Sequence, residues 1–259
     1  MDWPNPAGTG KSRLTILDYG CGTGNHITFP LASTGQKVLG IDSHEPSILE
    51  ARRNYTLPNL SFRTGVLDDL VREQQTFDLI VCSEVLEHHS EPFDFLLGLR
   101  RLTGPDGALI ITTPNGYGSY EMLCRLEGGL NCIGVHQLLR WIFRRGRYLA
   151  QQLSRLITSS HSVEKLSEDQ NPGFLNRESS HVQFFRLRTL EALFRDSGFH
   201  VVSRRARTFL CGPYVDVLFQ VCPFRQVLFR GNNRLADLLP FTWAADWMFL
   251  LERREGSHS

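Results

Sequence analysis

Between residues 14 and 113, short runs of β-branched and aliphatic residues alternate with longer mixed segments. That alternation predicts β-α-β units and a parallel sheet. The apolar runs place strands at 14–18, 37–42, 60–64, 77–82 and 108–113, with helices near 25–33, 46–55 and 92–103. Turn signals punctuate them: Thr34-Gly35 closes the first helix and Gly104-Pro105-Asp106-Gly107 precedes the fifth strand. Pro30 makes the first helix short or kinked.

From residue 115 to 180 the rhythm breaks, over a stretch far longer than the roughly 2 to 6 residues of an ordinary connection. This reads as an insertion, with a mobile polar loop at 158–180. The rhythm returns with an amphipathic helix at 186–197, ended by Gly198, and strand patterns at 199–209 and 244–252. The fold expected is therefore α/β: one domain over residues 1–259, built on a mostly parallel sheet, with 117–180 inserted after the fifth strand.

Composition narrows the partners. With 28 Lys plus Arg against 27 Asp plus Glu, the net charge is +1, which supplies no global field for DNA or an anionic membrane. The 6 cysteines form no C-x-x-C pair and sit mostly in apolar runs, as reduced thiols would. Residues 1–10 show no secretory pattern, and charged residues interrupt every apolar stretch of spanning length. A cytoplasmic protein is expected.

The sharpest signal is Ile16-Leu17-Asp18-Tyr19-Gly20-Cys21-Gly22-Thr23-Gly24, where a strand runs into alternate glycines. Glycines without Cβ atoms let the backbone approach a ligand, and a helix starting near Asn25 would aim unpaired N–H groups at it. The spacing departs from the dinucleotide G-x-G-x-x-G, so a pyrophosphate is not the expected ligand. Asp18 would set negative charge beside a cationic amino-acid group. Asp42, 18 residues after Gly24, would accept both ribose hydroxyls. Gly8-Thr9-Gly10-Lys11-Ser12 resembles a phosphate loop, but its first glycine would fall on Asn5 and no strand precedes it.

Taken together, ILDYGCGTG, VLGID, FDLIVCSEVLEH, GPDGALIITTPN and HVQFFRLRTLEALFRDSGFHVV resemble, in order, the S-adenosylmethionine-dependent methyltransferases of the Rossmann-like type. The resemblance implies a seven-stranded sheet with an antiparallel last strand and S-adenosylmethionine as cofactor. It implies that Gly20, Cys21, Gly22 and Gly24 line the methionyl and ribose portion and that Asp42 and Ser43 hold the ribose. Leu67 and Asp68 would flank the adenine, with Asp69 a competitor for its amino group, and Ser83 would lie near the transferable methyl.

After the fourth strand, Glu84, Glu87 and His88 would share one helical face, and His181 would reach them from a distant loop. Mixed oxygen and nitrogen ligands suit a divalent ion. The cluster is similar to those of ubiquinone-pathway O-methyltransferases and of small-RNA 3′-terminal 2′-O-methyltransferases, in which matching positions bind a metal. The bland alternative is a first helical turn whose His88 only shapes the acceptor pocket. His88 and His181 are the candidate bases for deprotonating an acceptor.

Only 13 residues precede the first strand, so the insertion is expected to roof the acceptor. Its segment 136–157 carries Arg140, Arg144, Arg145, Arg147 and Arg155 beside an apolar stripe, which suits peripheral membrane contact or an acidic acceptor as well as ordinary packing. The apolar C-terminal third, with Leu238, Trp243 and Trp247, should be mostly core. Its late run resembles glycan- and lipid-pathway methyltransferases. A small-molecule or lipid/sugar-linked oxygen acceptor follows from this resemblance. The alternatives are an RNA-terminal 2′-O-methyltransferase, a non-catalytic S-adenosylmethionine-binding protein and, more distantly, a nicotinamide oxidoreductase. Oligomeric state is open.

Overall fold

A computed structural model of the chain describes residues 12–116, 118, 182–208, 231, 232, 234, 238 and 240–254. The strands are β1 (Thr15–Tyr19), β2 (Lys37–Asp42), β3 (Leu60–Thr64), β4 (Phe77–Ser83), β5 (Thr103–Pro114), β6 (Phe199–Thr208) and β7 (Asp246–Arg253). The described helices are α1 (Thr28–Ser33), α2 (Glu45–Asn54), α3 (Leu67–Arg72), α4 (Pro92–Leu102) and α5 (Leu187–Asp196). The sheet is seven-stranded in the order β3-β2-β1-β4-β5-β7-β6. β1 to β5 pair in parallel and β7 runs antiparallel to β5, as expected from the sequence.

The interior strands are apolar on both faces because helices cover both. Ile16, Leu17, Val38, Ile41, Ile80, Leu109 and Ile111 are all buried. One side packs Ile16, Val38, Leu79, Val81 and Ala108 around Ala32 of α1. α4 turns Phe95, Leu96, Leu99 and Leu102 inward, a helical repeat readable in the sequence. Phe194 of α5 meets Phe249 of β7 edge-on at 5.2 Å.

The strand order reverses between β1 and β4, which opens a crevice at their carboxyl ends where ligands bind in such sheets. Several boundaries differ from expectation. α1 begins at Thr28, not near Asn25, because residues 20–27 are consumed by the turn. The Gly-Pro-Asp-Gly segment lies inside β5: its four residues face one of β4, Asp78, since Phe77 pairs Thr103 and Leu79 pairs Ala108. α3 was not anticipated at all.

The chain divides into two compact units. One comprises Met1–Gly116, His181–Arg205 and Asp246–Ser259, the other Tyr117–Ser180 and Ala206–Ala245. The expected insertion 117–180, including the basic segment 136–157, lies almost wholly outside the described residues, as do His181 and residues 8–11 of the rejected phosphate loop. Of the C-terminal residues expected to be mostly core, Trp247 is buried and Leu238 and Trp243 are exposed, and residues 209–230 lie outside the described residues. Among the described residues no helix is long and apolar enough to cross a membrane.

Candidate active site

The turn after β1 is built by glycines that no other residue replaces without strain. Gly20, Gly22 and Gly24 have φ of 79°, 54° and 74°. The Gly20 and Cys21 amides both donate to the Ile41 carbonyl, at 2.8 and 3.1 Å, tying the turn to the end of β2. A Cβ on Gly20 would strike Val85 at 2.3 Å, and one on Gly24 would strike the Phe62 ring at 2.5 Å. Among the described residues, a Cβ on Gly22 would meet nothing within 4 Å. Two glycines are thus packed against protein, and the middle one opens on free space at the carboxyl ends of β1 and β2. That is the position where backbone can lie against a ligand.

Asp42 stands at the end of β2, next to this opening. Its Oδ2 accepts the Gly22 amide at 2.8 Å and its Oδ1 the His44 amide at 2.8 Å. These bonds fix the carboxylate's orientation while each oxygen keeps a lone pair for a hydroxyl. Ser43 follows, exposed, and His44 Nδ1 lies 2.8 Å from Ser47 Oγ at the start of α2.

Asp18 sits deeper. It is 2% exposed, and its Oδ2 accepts the Thr28 hydroxyl at 2.6 Å. Burial, with the neighbouring Asp42 carboxylate, pushes its carboxyl up to about 6, against the opposing hydrogen bonds from Thr28. Cys21 is a free thiol in the turn, half-buried.

After β3 the sequence left Asp68 and Asp69 competing, and the unanticipated α3 separates them. Asp69 Oδ2 accepts the Val66 amide at 3.1 Å, half of a capping box to which Val66 can return no side-chain oxygen. Its Oδ1 pairs with Arg72. Asp69 is therefore occupied with the helix start, and the amide and Arg72 hold its carboxyl below the usual range. Asp68 is exposed, and among the described residues its carboxylate carries no hydrogen bond or ion pair. Leu67 is buried, wedged beneath α4 where Gly98 leaves it room.

At the exit of β4 the anticipated helical face does not form. Leu86–His88 is a single 3₁₀ turn, and Glu84 before it has a left-handed φ of 56°. Register explains the outcome: Ser83 pairs Thr112 across β4 and β5, so the Thr112 hydroxyl reaches both Ser83 Oγ at 2.8 Å and Glu84 Oε1 at 2.7 Å. Glu87 turns inward instead, 1% exposed. Its Oε2 takes a long 3.4 Å bond from Thr113, and its Oε1 is buried without a hydrogen-bond partner among the described residues. Burial pushes this carboxyl up to about 8.

His88 points outward, its Nε2 3.9 Å from Glu87 Oε1. His89 stacks on Phe95 with centroids 3.8 Å apart, and burial, with His88 beside it, lowers its imidazole. The Glu87 carbonyl accepts the amides of Val182 and Gln183 at 2.9 and 3.0 Å, which brings the start of the returning segment to this turn.

Among the described residues no group of three His, Cys, Asp or Glu could hold a metal ion, and His181, the fourth expected ligand, lies outside them. Glu84 Oε1 accepts the Thr112 hydroxyl, burial holds Glu87 toward its neutral form, and His88 lies with its Nε2 3.9 Å from Glu87 Oε1. The sequence missed Thr28, Phe62, Thr112 and Thr113. The only local hint was the Thr112-Thr113 pair ending an otherwise apolar strand.

The comparisons with known proteins agree with this geometry. Ubiquinone biosynthesis O-methyltransferase of Roseobacter denitrificans is 33% identical over 132 residues, covering 50% of each chain. The mitochondrial enzyme of that name from Bos taurus is 36% identical over 110 residues, 40% of this chain and 30% of that one. The chain thus spans about half or less of the length of these curated relatives. In fold, a crystal structure described as an S-adenosylmethionine-dependent methyltransferase from Archaeoglobus fulgidus superposes with a TM-score of 0.51 at 14% identity, covering 94% of this chain and 87% of that one. The profile of the methyltransferase domain matches residues 2–204. Glycine turn, strand order and sequence match converge, and the chain belongs to the methyltransferase domain family.

Proposed function

We propose that this protein transfers the methyl group of S-adenosylmethionine to an oxygen of a small-molecule or lipid/sugar-linked acceptor. The observation that carries the cofactor half is the open face of Gly22 with the Asp42 carboxylate held beside it. In this reading Asp42 accepts the ribose hydroxyls, and Asp68, left available by Asp69, accepts the adenine amino group. Gly20, Cys21, Gly22, Gly24, Ser43, Leu67 and Ser83 line the remainder.

The acceptor half is supported by the relatives, which are named for O-methylation in ubiquinone biosynthesis. A sulfonium methyl is already activated, so the protein's task is chiefly to align the acceptor oxygen with the S–CH₃ bond. That oxygen attacks the methyl carbon, the carbon–sulfur bond breaks, and a neutral thioether leaves. The acceptor's proton passes to a base, for which His88 and His181 are the candidates. No step is assigned to a divalent ion.

The test is S-adenosylhomocysteine formation with a panel of phenolic, polyprenyl-phenolic and sugar-linked acceptors. Turnover with a hydroxyl acceptor, lost when that hydroxyl is already methylated, is expected. Cofactor binding with no turnover on any acceptor would contradict the catalytic reading.

A further inference from the structure

α1 lacks the usual device for starting a helix. Its N-cap is Ile27, whose side chain can accept no hydrogen bond, yet the segment must be anchored because it closes the glycine turn. The anchor comes from ten residues upstream. Asp18, on β1, takes the Thr28 hydroxyl at 2.6 Å. Thr28 is 0% and Asp18 2% exposed, so water does not compete for this bond. This buried hydrogen bond joins the strand before the turn to the helix after it, with Gly20, Gly22 and Gly24 between them.

We propose that Thr28 is a positioning residue for cofactor binding, its buried hydroxyl clasping Asp18 so that the two ends of the glycine turn stay closed. The proposal rests on the S-adenosylmethionine reading above and deepens it. An ionised Asp18 accepts the Thr28 hydroxyl as a charge-assisted bond. A protonated one is a weaker acceptor, and it withdraws negative charge from beside a cationic cofactor. Both changes weaken binding in acid. The titratable groups bearing on Asp18 are Asp42 on β2, Cys21 in the turn and Cys82 on β4, and all of them disfavour its charge or are neutral. Thr28 opposes them, in a range where the buried carboxyl sits at about 6.

The experiment is titration of S-adenosylmethionine and of uncharged-sulfur S-adenosylhomocysteine into wild type, Thr28→Val and Thr28→Ser from pH 5 to 8.5. Wild-type affinity for both ligands is expected to fall about tenfold between pH 7.5 and pH 5. In Thr28→Val the fall should begin about one pH unit higher, with affinity within about threefold of wild type at pH 8.5, and Thr28→Ser should restore the wild-type profile. A Thr28→Val profile superposable on wild type, or a loss equal at every pH, would overturn the clasp. If Thr28→Val does not fold, the wild type decides: affinity independent of pH across this range overturns the proposal. Wild type binding neither ligand at any pH would instead remove the cofactor reading on which it stands.

Discussion

Gly22 and Gly24 lie two residues apart in the same turn, and the structure assigns them opposite sensitivities. Alanine at Gly24 must hold φ near 74°, at about 1–2 kcal/mol for an L-residue, and its Cβ would lie 2.5 and 2.6 Å from two carbons of Phe62. That ring is packed against Ile48 and Ala51 and cannot easily withdraw. Overpacking of this kind adds about 1–3 kcal/mol, so Gly24→Ala should lose about 2–5 kcal/mol of folding stability. Alanine at Gly22 meets only the backbone cost, about 1–2 kcal/mol, because none of the described residues lies within 4 Å of its Cβ. Yet that methyl would project where the ligand lies, and S-adenosylmethionine affinity should drop at least about tenfold, or 1.4 kcal/mol.

Urea unfolding ranks the two variants for stability, and calorimetric titration ranks them for binding. Phe62→Leu should return part of the Gly24→Ala loss and none of the Gly22→Ala loss. A Gly22→Ala protein that binds the cofactor like wild type would refute the assignment of this backbone to the ligand.

Other consequences are independent of that pair. Asp68→Ala should weaken cofactor binding about three- to tenfold with little change in stability, whereas Asp69→Ala should lower stability through α3 and leave affinity nearly intact; the reverse pattern in paired titration and unfolding experiments contradicts the division of roles. Asp42→Ala should reduce affinity by at least about tenfold, since it removes the ribose acceptor and releases the Gly22 amide; unchanged calorimetric affinity would exclude it from the site. Glu87 keeps its proton longer in the folded protein than in the unfolded chain, so its contribution is intact below about pH 4.5 and is lost as pH rises toward 8. The ceiling on that loss is about 5 kcal/mol at 1.36 kcal/mol per pH unit, and Glu87→Gln should flatten the stability profile over this window; parallel profiles in urea unfolding at pH 5, 6.5 and 8 would show that the buried acid does not titrate there.

What could be read from the sequence was what short-range pattern carries. The alternating apolar runs located β1 to β5 and β7, and Gly20, Gly22 and Gly24 marked a turn that does take positive φ. The failures occurred where a long-range partner decides. Glu84, Glu87 and His88 have the spacing of a helical face, but the pairing of Ser83 with Thr112 captures Glu84 and leaves only a 3₁₀ turn. α3 is six residues long, too short for periodicity to show, and its start is fixed by the bond between Asp69 and Val66. Thr28 was invisible for the same reason: its importance comes from Asp18 across the turn, not from its neighbours in the chain.

Titration of S-adenosylmethionine into the wild-type protein, with NAD as the parallel ligand, decides whether the glycine turn holds this cofactor. Heat of one-to-one binding is expected for S-adenosylmethionine, with its loss in Gly22→Ala and no heat for NAD. Silence with S-adenosylmethionine, or binding of NAD in its place, would contradict that assignment.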